Sequence, residues 1–207
     1  MKIEELANQI PENGVFRTGQ ILSGRRHPAH LRRQLDRWVK NDRVMQLRRG
    51  VYLLKRPCAS IGAHPFAIAN TLKKASYISL QSALAHYGMI PEYVPVTTSV
   101  TTGRPETCET PAGRFQFRHI STRRFFGFKE AEVTPGQRVL MASAAKALVD
   151  LLYLTPHSDN PDYLKELRLR EPEGFSHESL TDVVEKFGSN KVDRAVRWVV
   201  HLWEEEK

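Results

Sequence analysis

The chain is poor in the residues that staple, anchor or activate a protein. It has two cysteines, Cys58 and Cys108, far apart in sequence. Neither has a second close thiol or a paired histidine beside it, so no metal site is expected. A disulfide between them stays open on the residues alone, although an unexported chain keeps its thiols reduced. No run of about 18 apolar residues occurs, so no spanning helix is expected. The first residues lack the apolar stretch of a secretory signal, and the expected location is the cytoplasm. There is no glycine-rich phosphate loop and no His-Glu-x-x-His pattern. Ser79 and Ser82 precede His86, but no nucleophile elbow and no third member accompanies them, and Ser79 suits a helix cap. A nuclease needs acids clustered on strands, whereas the strand-like segments here carry arginines. The sequence therefore predicts neither an enzyme nor a cofactor.

What the chain does have is positive charge in one place. Its 207 residues are 41% hydrophobic and 26% charged, the make-up of an ordinary folded protein of one large domain or a small one plus a medium one. The net charge is +8. Residues 1–56 hold 13 Lys and Arg against 5 Asp and Glu, and residues 57–207 hold 18 of each. The whole excess thus lies in the first quarter. Solubility does not require such a distribution. A basic module joined to a neutral one reads as a polyanion binder plus something else. Chance clustering on a solvated face is the plainer alternative.

The basic module has a regular apolar pattern. Ile3, Leu6, Ala7 and Ile10 share one face of a short helix, ended by Pro11 and the Glu12-Asn13-Gly14 turn. Val15 and Phe16 are expected to be buried. Thr18 can cap a second short helix carrying Ile21 and Leu22, which Ser23-Gly24 breaks. After a basic turn, Arg25-Arg26-His27, a third helix is predicted from Pro28 to Asn41. At roughly 100° per residue, Leu31, Leu35 and Trp38 fall within an arc of about 60°, and Arg33, Arg37 and Lys40 fall in a similar arc opposite. Arg32 and Asp36 flank the basic side. Val44–Leu47 and Val51–Leu54 then read as a hairpin around Arg48-Arg49-Gly50.

Three helices and a hairpin are the order of a winged helix-turn-helix, whose third helix enters the DNA major groove. On that reading His30 and Arg33, near the start of the helix, are the candidates for base edges. Arg25, Arg26, Arg37 and Lys40 are candidates for phosphates, and Arg48 and Arg49 sit at the wing tip. The alternative is a winged helix that contacts protein and leaves its arginines solvated.

Lys55-Arg56-Pro57 marks the expected boundary, giving domains of 1–56 and 57–207. Beyond it the pattern is mixed. Helices are predicted over Pro65–Ala75, after Ser79, over Ala144–Leu154 behind a Ser143 cap, after Asn160-Pro161, after Ser176 and over Lys191–Glu205. Strands are predicted over Tyr93–Thr102, with Pro95 at an edge or a start, over Arg114–Ile120, as a pair around Gly127, and over Arg138–Met141. The fold class is α+β: an N-terminal winged helix followed by a larger domain with a small, mainly antiparallel sheet among helices. Arg114, Arg118, Arg123 and Arg124 form a second basic cluster, read as a solvated strand face or an auxiliary nucleic-acid contact. His119 is read as a strand side chain. Lys146 and Asp150, four apart on one helix, read as an i,i+4 ion pair or as part of a functional surface.

The segments "RRGVYLL", "YISLQSALAHYGMIPE", "VTTSVTTGRP", "GRFQFRHI" and "ASAAKALVDLLYL" together resemble the AbiEi antitoxins of bacterial type IV toxin–antitoxin systems. The resemblance runs from about residue 3 to 155, and more loosely to the end. It implies an N-terminal winged helix that represses the protein's own operon at inverted repeats. It also implies a C-terminal domain that counteracts a nucleotidyltransferase toxin in phage defence, without requiring a stable toxin complex. The family's Glu-Lys pair is Ala145-Lys146 here, so any role of that acid does not carry over, whereas Lys146 and Asp150 keep the pattern. Lys146, Asp150, Arg114 and Arg118 are the candidates for an antitoxin surface. The competing readings are a stand-alone winged-helix regulator with a ligand-sensing or assembly domain, and a nuclease recruited to DNA.

Overall fold

The computed structural model describes residues 2–22, 28–55, 59 and 62–205. The protein is α+β and divides into two compact units. One comprises Met1–Lys74, Cys108–Arg114 and Glu132–Val139; the other comprises Ala75–Thr107, Phe115–Ala131 and Leu140–Lys207. Of the expected boundary, Arg56 and Pro57 lie outside the described residues.

The first unit opens with α1 (Ile3–Ala7), β1 (Val15–Arg17), α2 (Thr18–Leu22) and α3 (Pro28–Lys40). It continues through β2 (Val44–Arg48), β3 (Val51–Leu54) and α4 (Pro65–Leu72). Its three strands order as β1-β3-β2 and are antiparallel. A register shift between Gln46 and Arg48 marks a bulge near the end of β2. β1 was not expected as a strand, because a three-residue segment is too short to display an alternation. Ile3, Leu6, Phe16, Leu31, Leu35 and Trp38 meet in one apolar cluster. Asp42 stops α3 by adopting φ +56, and the Arg43 N–H bonds back to the Trp38 carbonyl.

From Ala75 onward come β4 (Ser76–Ile78), α5 (Leu80–His86), β5 (Val96–Thr101), β6 (Glu106–Thr110) and β7 (Gly113–His119). A 3₁₀ turn over Thr122–Arg124 leads to β8 (Phe128–Thr134) and β9 (Gln137–Ala142). The helices α6 (Ala144–Leu154), α7 (Pro161–Glu166), α8 (His177–Phe187) and α9 (Asn190–Glu205) complete the chain. Six strands form one sheet in the order β6-β7-β5-β4-β9-β8, with β4 antiparallel to β5 and parallel to β9.

β5 lies inside this sheet, so Pro95 precedes a strand start and does not mark an edge. The segment read as a strand pair around Gly127 is one strand, β8, entered through Gly127 at φ +72. β4 was hidden because all three of its side chains are buried, leaving no polar alternation to read. α6 is buried from Ala145 to Asp150 without a break and is capped by Ser143, whose hydroxyl accepts from the Lys146 N–H. Among the described residues no helix is long and apolar enough to cross a membrane.

Candidate functional site

α3 separates its two faces cleanly. Leu31, Leu35 and Trp38 are buried, while His30, Arg32, Arg33, Arg37 and Lys40 are exposed. Among the described residues the side chains of His30, Arg33, Arg37, Lys40 and Arg49 have no hydrogen-bond or ion-pair partner. The cationic face is therefore not consumed by the fold's own carboxylates. Arg25 and Arg26 lie outside the described residues.

The β2–β3 hairpin turns at Arg49-Gly50, with Gly50 at φ +79. Its tip is tied to the start of α2 by the Thr18 N–H, which donates to the Gly50 carbonyl at 3.0 Å. Arg49 is exposed and Arg48 half-buried. Arg17 and Arg48 both stand opposite Val51, one from each neighbouring strand. Arg17 Nε donates to the Thr71 carbonyl at 2.7 Å, while its Nη2 is buried without a partner among the described residues. Burial, and then the charge of Arg48, hold the Arg17 guanidinium below its usual range. Arg17 adds a positive charge opposite Val51 that the sequence pattern does not single out. The signal available was an arginine closing a short apolar pair, and β1 itself was not legible.

The second group of candidate residues is placed differently. Lys146 and Asp150 are both 0% exposed, so this pair is interior and forms no part of a surface. Lys146 Nζ pairs with Asp150 Oδ1 and donates to the Tyr77 hydroxyl at 2.8 Å. Asp150 Oδ2 accepts from Tyr77 at 2.9 Å and from Ser79 at 2.8 Å. Ser79 stands at the cap position of α5, but its hydroxyl is turned to Asp150 and makes no cap bond. Burial lowers Lys146 and raises Asp150, and the attraction between them opposes both shifts. The ammonium also lies 5.2–5.3 Å from the ring centres of Tyr77, Phe126 and Phe187. Gly127 packs on the lysine stem: a Cβ there would come within 3.1 Å of Lys146 Cγ. The arrangement is closed to solvent and ties β4 and α6 together.

The arginine cluster likewise resolves into separate structural tasks. Arg118 donates to the Leu154 carbonyl at the end of α6, at 2.7 Å. The buried Arg124 donates to the Phe187 and Gly188 carbonyls at the end of α8 and to the Tyr153 hydroxyl. Guanidinium groups at helix C-termini satisfy orphan carbonyls and oppose the helix dipole. Arg114 pairs with Glu109, and Arg123 is exposed. His119 faces the Gly103 carbonyl across 3.0 Å. Ser82 accepts from the Thr98 N–H and donates to the Val96 carbonyl. Both candidate serine hydroxyls thus serve the fold.

The protein is a mixed α+β fold in which a cationic first unit and a buried-pair second unit are the distinctive features. No protein-family model matches the chain, and no curated protein matches it. Among solved structures, it is similar to the crystal structure of the RV2827C protein from Mycobacterium tuberculosis, with a TM-score of 0.53 and 16% identity. That match covers 96% of this chain and 74% of the other. At this identity the likeness concerns the fold.

Proposed function

We propose that the protein is a DNA-binding autorepressor that also acts as the antitoxin to a nucleotidyltransferase in a type IV toxin–antitoxin system. The observation that carries the DNA half is the exposed cationic face of α3, without partners among the described residues and backed by the buried Leu31, Leu35 and Trp38. On this reading α1 to α3 with β2 and β3 form a winged helix-turn-helix. α3 lies in the major groove, with His30 and Arg33 nearest the base edges and Arg37 and Lys40 on phosphates. Arg48 and Arg49 belong to the wing, and Arg25 and Arg26 to the turn before α3. One such module contacts a limited area, so two copies on an inverted repeat are the expected arrangement.

The antitoxin half is supported by the sequence resemblance, above all "YISLQSALAHYGMIPE" and "ASAAKALVDLLYL". The buried Lys146–Asp150 pair serves there as scaffold, and toxin counteraction is assigned to no particular residue.

The test uses the full chain and an Arg33→Ala, Arg37→Ala double variant. The wild type should bind DNA upstream of its own gene and rescue cells expressing a nucleotidyltransferase encoded beside it. The folded double variant should lose the first activity and keep the second. Failure of the wild type to rescue removes the antitoxin half, and loss of both activities in the variant contradicts the division of labour.

A further inference from the structure

The second unit contains a cavity of about 510 Å³, bounded by α5, the segment 90–98, β7, α6 and α7. Its volume is in the range of sites for small organic ligands. Four polar side chains from three elements converge on it: Gln81 of α5, Gln116 of β7, and Tyr163 and Glu166 of α7. None of the four has a side-chain hydrogen-bond partner among the described residues. Thr98, which also lines the cavity, is by contrast committed to the Ser79 carbonyl, as Ser79, Ser82 and Tyr87 nearby are committed to partners of their own. The remaining walls are apolar, supplied chiefly by Ile90, Val96, Leu151 and Leu167.

Charge narrows the occupant. Of the two lining carboxylates, Glu92 is neutralised by Arg168 at 2.6 Å, and Glu166 has no counter-ion among the described residues. Among the described residues no lysine or arginine lines the cavity, which disfavours phosphates and carboxylates as ligands. Tyr93, also lining it, is 88% exposed, an aromatic face that a cation can meet.

We infer that this cavity binds a small organic cation, its ammonium or amidinium group directed to Glu166 and its apolar body against Leu151 and Leu167. The glutamine carboxamides and the Tyr163 hydroxyl give the site both donors and acceptors for a polar substituent. This site is independent of the DNA-binding reading, because every residue it uses belongs to the second unit.

Calorimetric titration of the full chain with phenethylamine, 2-phenylethanol and phenylacetate tests it, since the three differ in charge and little in shape. Phenethylamine should bind at least about tenfold more tightly than 2-phenylethanol, with phenylacetate weakest. Glu166→Gln, a change at an exposed position, should remove that advantage and leave 2-phenylethanol binding unchanged. Equal binding of the three probes, an unaltered preference in Glu166→Gln, or no heat from phenethylamine at millimolar concentration overturns the inference.

Discussion

Lys146 and Asp150 form an ion pair from which solvent is wholly excluded, one helical turn apart on α6, with Tyr77 and Ser79 supplying the remaining hydrogen bonds to the carboxylate. Removing one partner leaves an uncompensated charge in the interior, which costs about 3–5 kcal/mol, whereas a well-packed apolar replacement of both is often neutral. Asp150→Ala should therefore be strongly destabilised in urea unfolding. Lys146→Met with Asp150→Leu should recover most of the loss. A double variant as unstable as the single one would mean that the hydroxyl network, and not the orphaned charge, sets the cost.

Tyr77 gives a pH dependence with a definite sign. Burial, then the charge of Asp150 and the hydrogen bond to it, push its phenol far above the usual tyrosine range. Above about pH 10 the unfolded chain releases that proton while the folded chain keeps it, so the unfolded state binds fewer protons and stability falls as pH rises. Below that pH the contribution is constant. Tyr52 and Tyr87 are raised in the same direction. Tyr77→Phe should accordingly flatten the alkaline loss of unfolding free energy without abolishing it. An unchanged slope between about pH 9 and about pH 11 would show that Tyr77 ionises in the folded protein.

Two glycines predict opposite outcomes for the same substitution. Gly127 has φ +72, and its Cβ would meet three carbons of Lys146 at 3.1–3.3 Å. Gly127→Ala should be destabilised by about 1–3 kcal/mol. Gly19 lies within α2, and an added Cβ meets nothing within 4 Å. Gly19→Ala should gain about 0.5–1 kcal/mol, because alanine loses less backbone freedom in a helix. Melting temperatures that move in the same direction for both would remove the distinction.

Arg17 tests the cationic patch at a position the sequence concealed. Its Nη2, buried beside Arg48 without a partner among the described residues, is a donor that a phosphate oxygen satisfies only if the guanidinium turns outward on binding. On the proposed function, Arg17→Gln should weaken DNA binding on all sequences alike and reduce the salt slope by about 1. A variant with wild-type affinity and slope, measured by anisotropy, would leave Arg17 a structural residue held by Thr71.

The parts of this fold that the sequence disclosed are those with a long period or a capping residue. α3 was legible because thirteen residues repeat a leucine–tryptophan stripe opposite an arginine stripe. α6, α7 and α8 were legible from Ser143, Asn160 and Ser176, each of which caps as its residue type predicts. β7 was legible from Phe115 and Phe117 alternating with polar neighbours. β1 and β4 were not, because three residues carry no period. Ser79 shows the limit of local reasoning: its neighbours favour a cap, and a carboxylate 71 positions away claims the hydroxyl instead. The same distance effect hid the interior location of Lys146, since a lysine four residues from an aspartate looks like a solvated pair until β4 and the segment around Gly127 close over it. Arg118 and Arg124 looked like a patch because their carbonyl partners lie 36 and 63 residues along the chain.

Whether the α3 face and its neighbouring arginines meet a DNA backbone is read most directly from the salt dependence of binding. If about six of these side chains neutralise phosphates, the logarithm of affinity should fall with the logarithm of salt at a slope near about −5. The Arg33→Ala, Arg37→Ala variant should lie about one unit shallower, because Arg37 is the member of the pair placed on a phosphate. A wild-type slope flatter than about −2, or a double variant that matches it, would mean that these guanidinium groups do not engage the duplex.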